Sequence, residues 1–121
     1  MSKRILAVED HAENRRILRL LLASAGYELL EAATGEEGIA MAEKERPDLI
    51  LMDIQLPGLD GYEATRRIKA NPVLRHIPII VVTSYALSGD DVKAFEAGCD
   101  AYVTKPFVPR ELLAKVREYV P

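Results

Sequence analysis

The sequence predicts an α/β domain: five parallel strands with helices on both faces of the sheet. Short apolar runs recur along the chain: Ile5-Leu6-Ala7-Val8, Leu49-Ile50-Leu51-Met52, Ile79-Ile80-Val81-Val82 and Ala101-Tyr102-Val103. Uninterrupted runs of this length are those of strands buried on both sides. Between them, apolar residues return every three or four positions, the period of a helix with one buried face. Strands alternating with helices imply a parallel sheet, and right-handed crossovers restrict its topology.

Five strand–helix units follow, with strands near 4–8, 28–32, 48–53, 77–83 and 100–104. The helices lie near 12–25, 35–45, 60–69, 88–97 and 110–120. In the first helix, Ile17, Leu18, Leu21, Leu22 and Ala25 form the apolar face, and Gly26 is its stop. Ile39 and Ala40 lie on a different face of the second helix from Glu43 and Lys44, and Pro47 closes it. Ser88 with Asp91 resembles a capping box for the fourth helix. Pro109 suits the first position of the fifth, although Val108 before it is a poor cap.

Length and composition fit one domain spanning residues 1–121. A chain of 121 residues supports a single core. The net charge is −3 and no block of Lys or Arg stands out, which disfavours direct nucleic-acid binding. The cluster Arg15, Arg16 and Arg19 reads as a solvated helix face or as a partner-docking patch. A single cysteine, Cys99, excludes an intrachain disulfide and a Cys-rich metal site, and its setting suits a small buried residue. No apolar run reaches membrane-span length, and the N-terminus leaves no room for a signal peptide's apolar region, so a cytoplasmic location without membrane attachment is expected.

The chemistry lies where the runs end. Glu9 and Asp10 follow the first strand, Asp53 ends the third, Thr83 the fourth, and Lys105 follows the fifth. Ligands of an open α/β sheet bind beyond the carboxyl ends of its strands, so these side chains converge on one edge. If the first and third strands are neighbours, three carboxylates share a small volume. Two charges about 4 Å apart repel by roughly 4 kcal/mol at a surface-like dielectric. A cation, a proton or separation must relieve this, and Mg²⁺ suits such oxygen ligands. Mn²⁺ suits them too. A carboxylate can attack phosphorus to give an aspartyl phosphate, and that transfer needs mainly positioning and charge stabilisation. In this scheme Glu9 and Asp10 hold the metal, Asp53 takes the phosphoryl group, and Thr83 and Lys105 bind its oxygens. Singly, each residue also fits a turn, a cap or a strand end; order and placement carry the signal. His11, beside the acid pair, could approach the site, but it reads more simply as a solvated loop residue and is given no catalytic role.

From Arg4 to about Val120 the chain resembles the receiver domains of bacterial response regulators, the CheY-like family. The likeness rests on Ile5 to Asp10, on Pro47 to Asp53 with Pro57-Gly58 and Asp60-Gly61, on Ile77 to Thr83, and on Ala97 to Phe107. The finer wording, Met52 to Pro57 and Gly98-Cys99 with Ala101-Tyr102, is most similar to the DivK-type single-domain regulators. The resemblance implies a flavodoxin-like sheet with strand order 2-1-3-4-5. It implies Asp53 as phosphoacceptor and Glu9, Asp10, Asp53 and the Gln55 backbone carbonyl as the metal site. Thr83 becomes the switch hydroxyl, Tyr102 the aromatic that follows it, and Lys105 the phosphate-binding lysine. Tyr102 also reads simply as a half-buried strand aromatic. A cis Lys105–Pro106 bond is implied as well. Ser84 departs from the alanine of many relatives, and the ring of Tyr85 is expected to shield the aspartyl phosphate.

The function implied is a phosphorylation switch and not a turnover enzyme. A sensor histidine kinase or histidine phosphotransfer protein supplies the phosphoryl group, with the first helix and its arginines beside the site for docking. A target protein reads a surface of the fourth helix, fifth strand and fifth helix. Alternatives are a receiver excised from a hybrid kinase or larger regulator, and a phosphate-independent interaction module. An aspartate-nucleophile phosphatase is disfavoured because Gln55 stands where a second acid is wanted. A flavin-binding relative is disfavoured because Glu9-Asp10 would repel the cofactor phosphate.

Overall fold

The computed structural model describes residues 3–83, 90–105 and 108–121. The elements are β1 (Arg4–Val8), α1 (Ala12–Ser24), β2 (Glu28–Ala32), α2 (Gly35–Glu45), β3 (Leu49–Asp53), α3 (Gly61–Ala70), β4 (Ile79–Thr83), α4 (Asp90–Ala97), β5 (Ala101–Thr104) and α5 (Pro109–Tyr119). All strand pairs are parallel, in the order β2-β1-β3-β4-β5. Fold class and order are those expected. The Ser88 cap, the Ser84 hydroxyl, the Tyr85 shield and the cis Lys105–Pro106 bond fall outside the described residues.

Alternation along each strand divides the core into two layers. Leu6, Val8, Ile50, Met52, Ile79 and Val81 face Ala42 of α2, Ala64 and Ile68 of α3, and Ala94 of α4. Ile5, Ala7, Leu49, Leu51, Ile80 and Val82 face Leu18 and Leu22 of α1 and Leu112 and Val116 of α5. Strands β1, β3 and β4 are thus buried on both faces, which is why they read as unbroken apolar runs. Truncating Leu22 or Ile68, both fully buried, to alanine would cost about 2–5 kcal/mol. Cys99 is buried as expected, and burial, with the nearby Asp100 charge, pushes its thiol up to about 11.

The element ends show where local signals were right and where they were incomplete. Gly26, at φ 90, ends α1: its N–H reaches Ala23 O at 3.0 Å, and that of Tyr27 reaches Leu22 O at 3.0 Å. Helix α3 starts one residue later than expected, because Asp60 is its cap and accepts from the Glu63 N–H at 2.9 Å. Strand β4 starts at Ile79, two residues late, since Ile77 N–H is committed to a turn with Leu74 O. Pro47 is not itself the turn that closes α2. That turn is made by Arg46, which takes a left-handed φ of 45 and bonds back to Ala42 O. Val108 makes no side-chain cap, as expected. Among the described residues, no helix is long and apolar enough to cross a membrane.

Candidate functional site

The parallel register brings the polar strand ends together. Val8 pairs with Met52 and Asp53 with Val82, so Glu9 and Asp53 end adjacent strands. Thr83 pairs with Thr104, so Lys105 leaves the sheet beside it, and its N–H bonds Thr83 O at 2.6 Å. Glu9, Asp53 and Thr83 are only 2%, 5% and 1% exposed. Position 61 fixes the far wall: a Cβ there would lie 2.1 Å from the Asp53 carbonyl oxygen. Glycine therefore lets the start of α3 press against the backbone that carries Asp53.

Lys105 sits between the two buried carboxylates. Its Nζ is 2.5 Å from Glu9 Oε1 and 3.4 Å from Asp53 Oδ2. Asp53 Oδ1 accepts from the Gln55 N–H at 3.2 Å. Glu9 Oε1 also accepts from Asn14 Nδ2 at 3.2 Å, and Oε2 from the His11 N–H at 3.1 Å. Burial alone would raise the Glu9 carboxyl, but Lys105 and the His11 N–H outweigh it and hold it at about 2. Asp53 shares the lysine less closely. Burial, reinforced by the Glu9 charge, pushes it up to about 6 against the pull of Lys105. Burial opposes the charge on Lys105, but its bond to Glu9 and the Asp53 charge raise its pKa. The lysine expected to face the phosphoryl group is thus held mainly by Glu9 in this state.

Glu9, Asp10 and His11 offer donor atoms that all lie within 4.8 Å of one another. Asp10 Oδ1 is buried and makes no hydrogen bond. An orphaned carboxylate oxygen beside a second carboxylate fits a divalent cation. Asp53 is not in this group of three; it joins the site through Lys105 and Glu9.

Thr83 lies on the same face of β4 as Val81, whose register partner is Tyr102. The expected switch pair therefore shares the side of the sheet covered by α4. Tyr102 is half-buried and packs against that layer, in keeping with its simpler reading as well.

Three residues are more involved than sequence suggested. Asn14 bonds Glu9 directly. Arg15 turns inward from the supposed solvated face, and its Nη1 donates to Glu9 O at 2.8 Å. Arg19 pairs with Glu31 at 2.8 Å. His11 is exposed, as read, yet its ring lies against the acid pair. A position in the first turn of a helix that follows a strand-end acid was the available signal for Asn14 and Arg15.

The chain matches the family model for the response regulator receiver domain over residues 5–117. It belongs to the response regulator receiver family. It is 40% identical over 120 residues to the polar-differentiation response regulator DivK of Brucella anthropi, covering 99% of this chain and 98% of that one. The receiver domain of a sensor histidine kinase from Pseudomonas aeruginosa, solved with magnesium coordinated in its active-site cleft, is similar at TM-score 0.92. That pair is 40% identical and covers 99% of this chain and 98% of the other. A CheY-like receiver protein from Methanospirillum hungatei is similar at TM-score 0.91 and 38% identity, over 98% and 93% of the two chains. This receiver is thus a component of phosphorelay signalling, and receivers are signalling switches.

Proposed function

We propose that Asp53 is the phosphoacceptor of this receiver and that its modification changes a protein-binding surface. The observation that carries this is the shared lysine: Lys105 lies between Glu9 and Asp53, with Asp53 the less tightly held of the two. An Asp53 carboxylate oxygen attacks the phosphorus of a phosphohistidine on a sensor kinase or phosphotransfer protein. A P–O bond forms, the P–N bond breaks, and the leaving imidazole takes up a proton. Lys105 neutralises charge on the transferred oxygens. Thr83 donates its hydroxyl to one of them.

Glu9, Asp10, Asp53 and the Gln55 carbonyl would hold a divalent cation, Mg²⁺ or Mn²⁺. The Asp10 oxygen without a hydrogen bond supports this reading. The ion would supply charge stabilisation at the phosphoryl oxygens. Catalysis here means self-modification and its reversal, not turnover of a substrate.

The output would pass through Thr83 and Tyr102 to the face formed by α4, β5 and α5, biasing an existing equilibrium. Val92 and Phe95 of α4 are exposed apolar side chains suited to a protein target there. We read residues 1–121 as one receiver unit acting in the cytoplasm with protein partners, not nucleic acid or membrane.

Intact mass after incubation with acetyl phosphate tests the reading. A single phosphoryl adduct should form with Mg²⁺, vanish with chelator, and not form on Asp53→Asn. An adduct that persists on Asp53→Asn would overturn the assignment.

A further inference from the structure

We propose that His11 is a direct nitrogen donor at the cation site, giving this receiver added affinity for Co²⁺, Ni²⁺ and Zn²⁺ relative to Mg²⁺. The inference rests on the cation-site reading above and deepens it.

His11 stands at the N-cap of α1, with extended backbone at φ −87 and ψ 119. Cap positions favour side chains that accept from the first turn. The His11 side chain makes no such bond. The ring is also 69% exposed, and it is held by its polar contact with the acid pair rather than by packing. Its Nδ1 lies 3.2 Å from Asp10 Oδ1 and 3.4 Å from Glu9 Oε2. The first of these oxygens is the buried one that lacks a hydrogen bond.

The two distances from Nδ1 are those of neighbouring donors around one ion. Neighbouring ligands about 2.1 Å from an octahedral ion are about 3.0 Å apart. Around tetrahedral zinc at about 2.0 Å they are about 3.3 Å apart. Small side-chain adjustments would therefore let Nδ1 and the two carboxylates share an ion. Nδ1 is the ring nitrogen that faces the carboxylates, so ligation would run through it.

The donor type decides the selectivity. Mg²⁺ prefers oxygen and retains its waters, so an imidazole adds little to its binding. Later first-row ions accept imidazole well. Two carboxylates and an imidazole form a mixed set that an all-oxygen site would not supply. A protonated His11 attracted only by charge would instead oppose every cation and show no such discrimination.

Titration calorimetry of untagged, chelator-stripped protein with MgCl₂, CoCl₂ and ZnCl₂ tests the proposal. His11→Asn should weaken Co²⁺ and Zn²⁺ binding about tenfold or more, and shift Mg²⁺ affinity by less than about twofold. Nitrogen NMR of the wild type with Zn²⁺ should move the His11 Nδ1 resonance and leave His76 in place. Equal effects on all three ions, no effect of His11→Asn, or an unmoved Nδ1 would overturn it. Asp10→Asn separates the two readings: it should weaken every ion. Loss there without discrimination at His11 rejects only the histidine. A wild type that binds none of the ions rejects the cation site with it.

Discussion

The two edges of the sheet each carry a lysine, and their charge balance is opposite. At the amino edge of β4 and β5, Lys69 Nζ meets Asp100 Oδ2 at 2.9 Å, Ile77 O at 2.8 Å and Arg75 O at 3.2 Å. The same Asp100 oxygen accepts from the Ile79 N–H at 2.9 Å. One cation faces one carboxylate there, and the remaining donors are met by carbonyls. At the carboxyl edge, Lys105 faces two buried carboxylates, and Asp10 adds an oxygen with no hydrogen bond. The first arrangement ties loop, strand and helix together. The second leaves negative charge uncompensated, which is what the proposed cation and phosphoryl site requires. A lysine near an aspartate says little; the local charge balance separates a clamp from a reactive site.

Neutralising Asp53 should break this contrast most completely. Asp53→Asn is expected to abolish the phosphoryl adduct while stabilising the metal-free fold at neutral pH by about 3 kcal/mol. The sign follows from the raised pKa. Asp53 goes from an ordinary 3.8 to about 6 on folding. Its contribution is therefore fully present below about pH 4 and lost as pH rises through 6. Urea melts of both proteins in chelator should converge near pH 4, draw apart between pH 4 and 6, and keep a constant gap above that. A gap of the same size at pH 4 would mean that burial of charge is not the cause. Glu9 runs the other way: lowered to about 2, it contributes stability above pH 4.5 that is lost as pH falls through 2.

The balanced edge should respond in the opposite sense. Lys69→Met strands two carbonyls and half of the Asp100 pair, and should destabilise the fold by about 2 kcal/mol. The adduct per folded molecule should remain near the wild-type level, because Lys69 belongs to the opposite edge. Lys105→Met should instead lose most of the adduct. Denaturant melts beside intact mass would check both. A Lys69 variant that keeps its stability but loses the adduct would remove the distinction between the edges.

Most of the fold was legible because it is local. Buried runs such as Ile79 to Val82 need no partner to be recognised as strands, and Gly26 marks its helix end unaided. Asp60 and Arg46 were less plain, because capping and left-handed turns depend on geometry that residue type only biases. The acids, Thr83 and Lys105 were visible as strand ends, since parallel topology turns sequence position into spatial position. The inward turn of Arg15 and the Asn14 bond were not. They depend on how α1 is rotated over β1, and its apolar stripe of Leu18 and Leu22 sets that only to within a residue or so.

Asn14 gives the smallest and sharpest test of the unbalanced edge. Its amide donates to Glu9 Oε1, the atom that also holds Lys105. Removing that donor in Asn14→Ala leaves Glu9 its lysine and the His11 N–H, so the carboxylate stays paired. The expected loss is about 1 kcal/mol of stability in chelator. Lys105 should then be drawn more fully to Glu9 and less to Asp53. Adduct formation from acetyl phosphate should slow by about three- to tenfold, with its Mg²⁺ dependence retained. In an Asp53→Asn background, where Glu9 is the only carboxylate left for Lys105, the same substitution should cost a different amount of stability than it does alone. A double-mutant cycle that finds no coupling between positions 14 and 53 would reject the relay through the shared lysine.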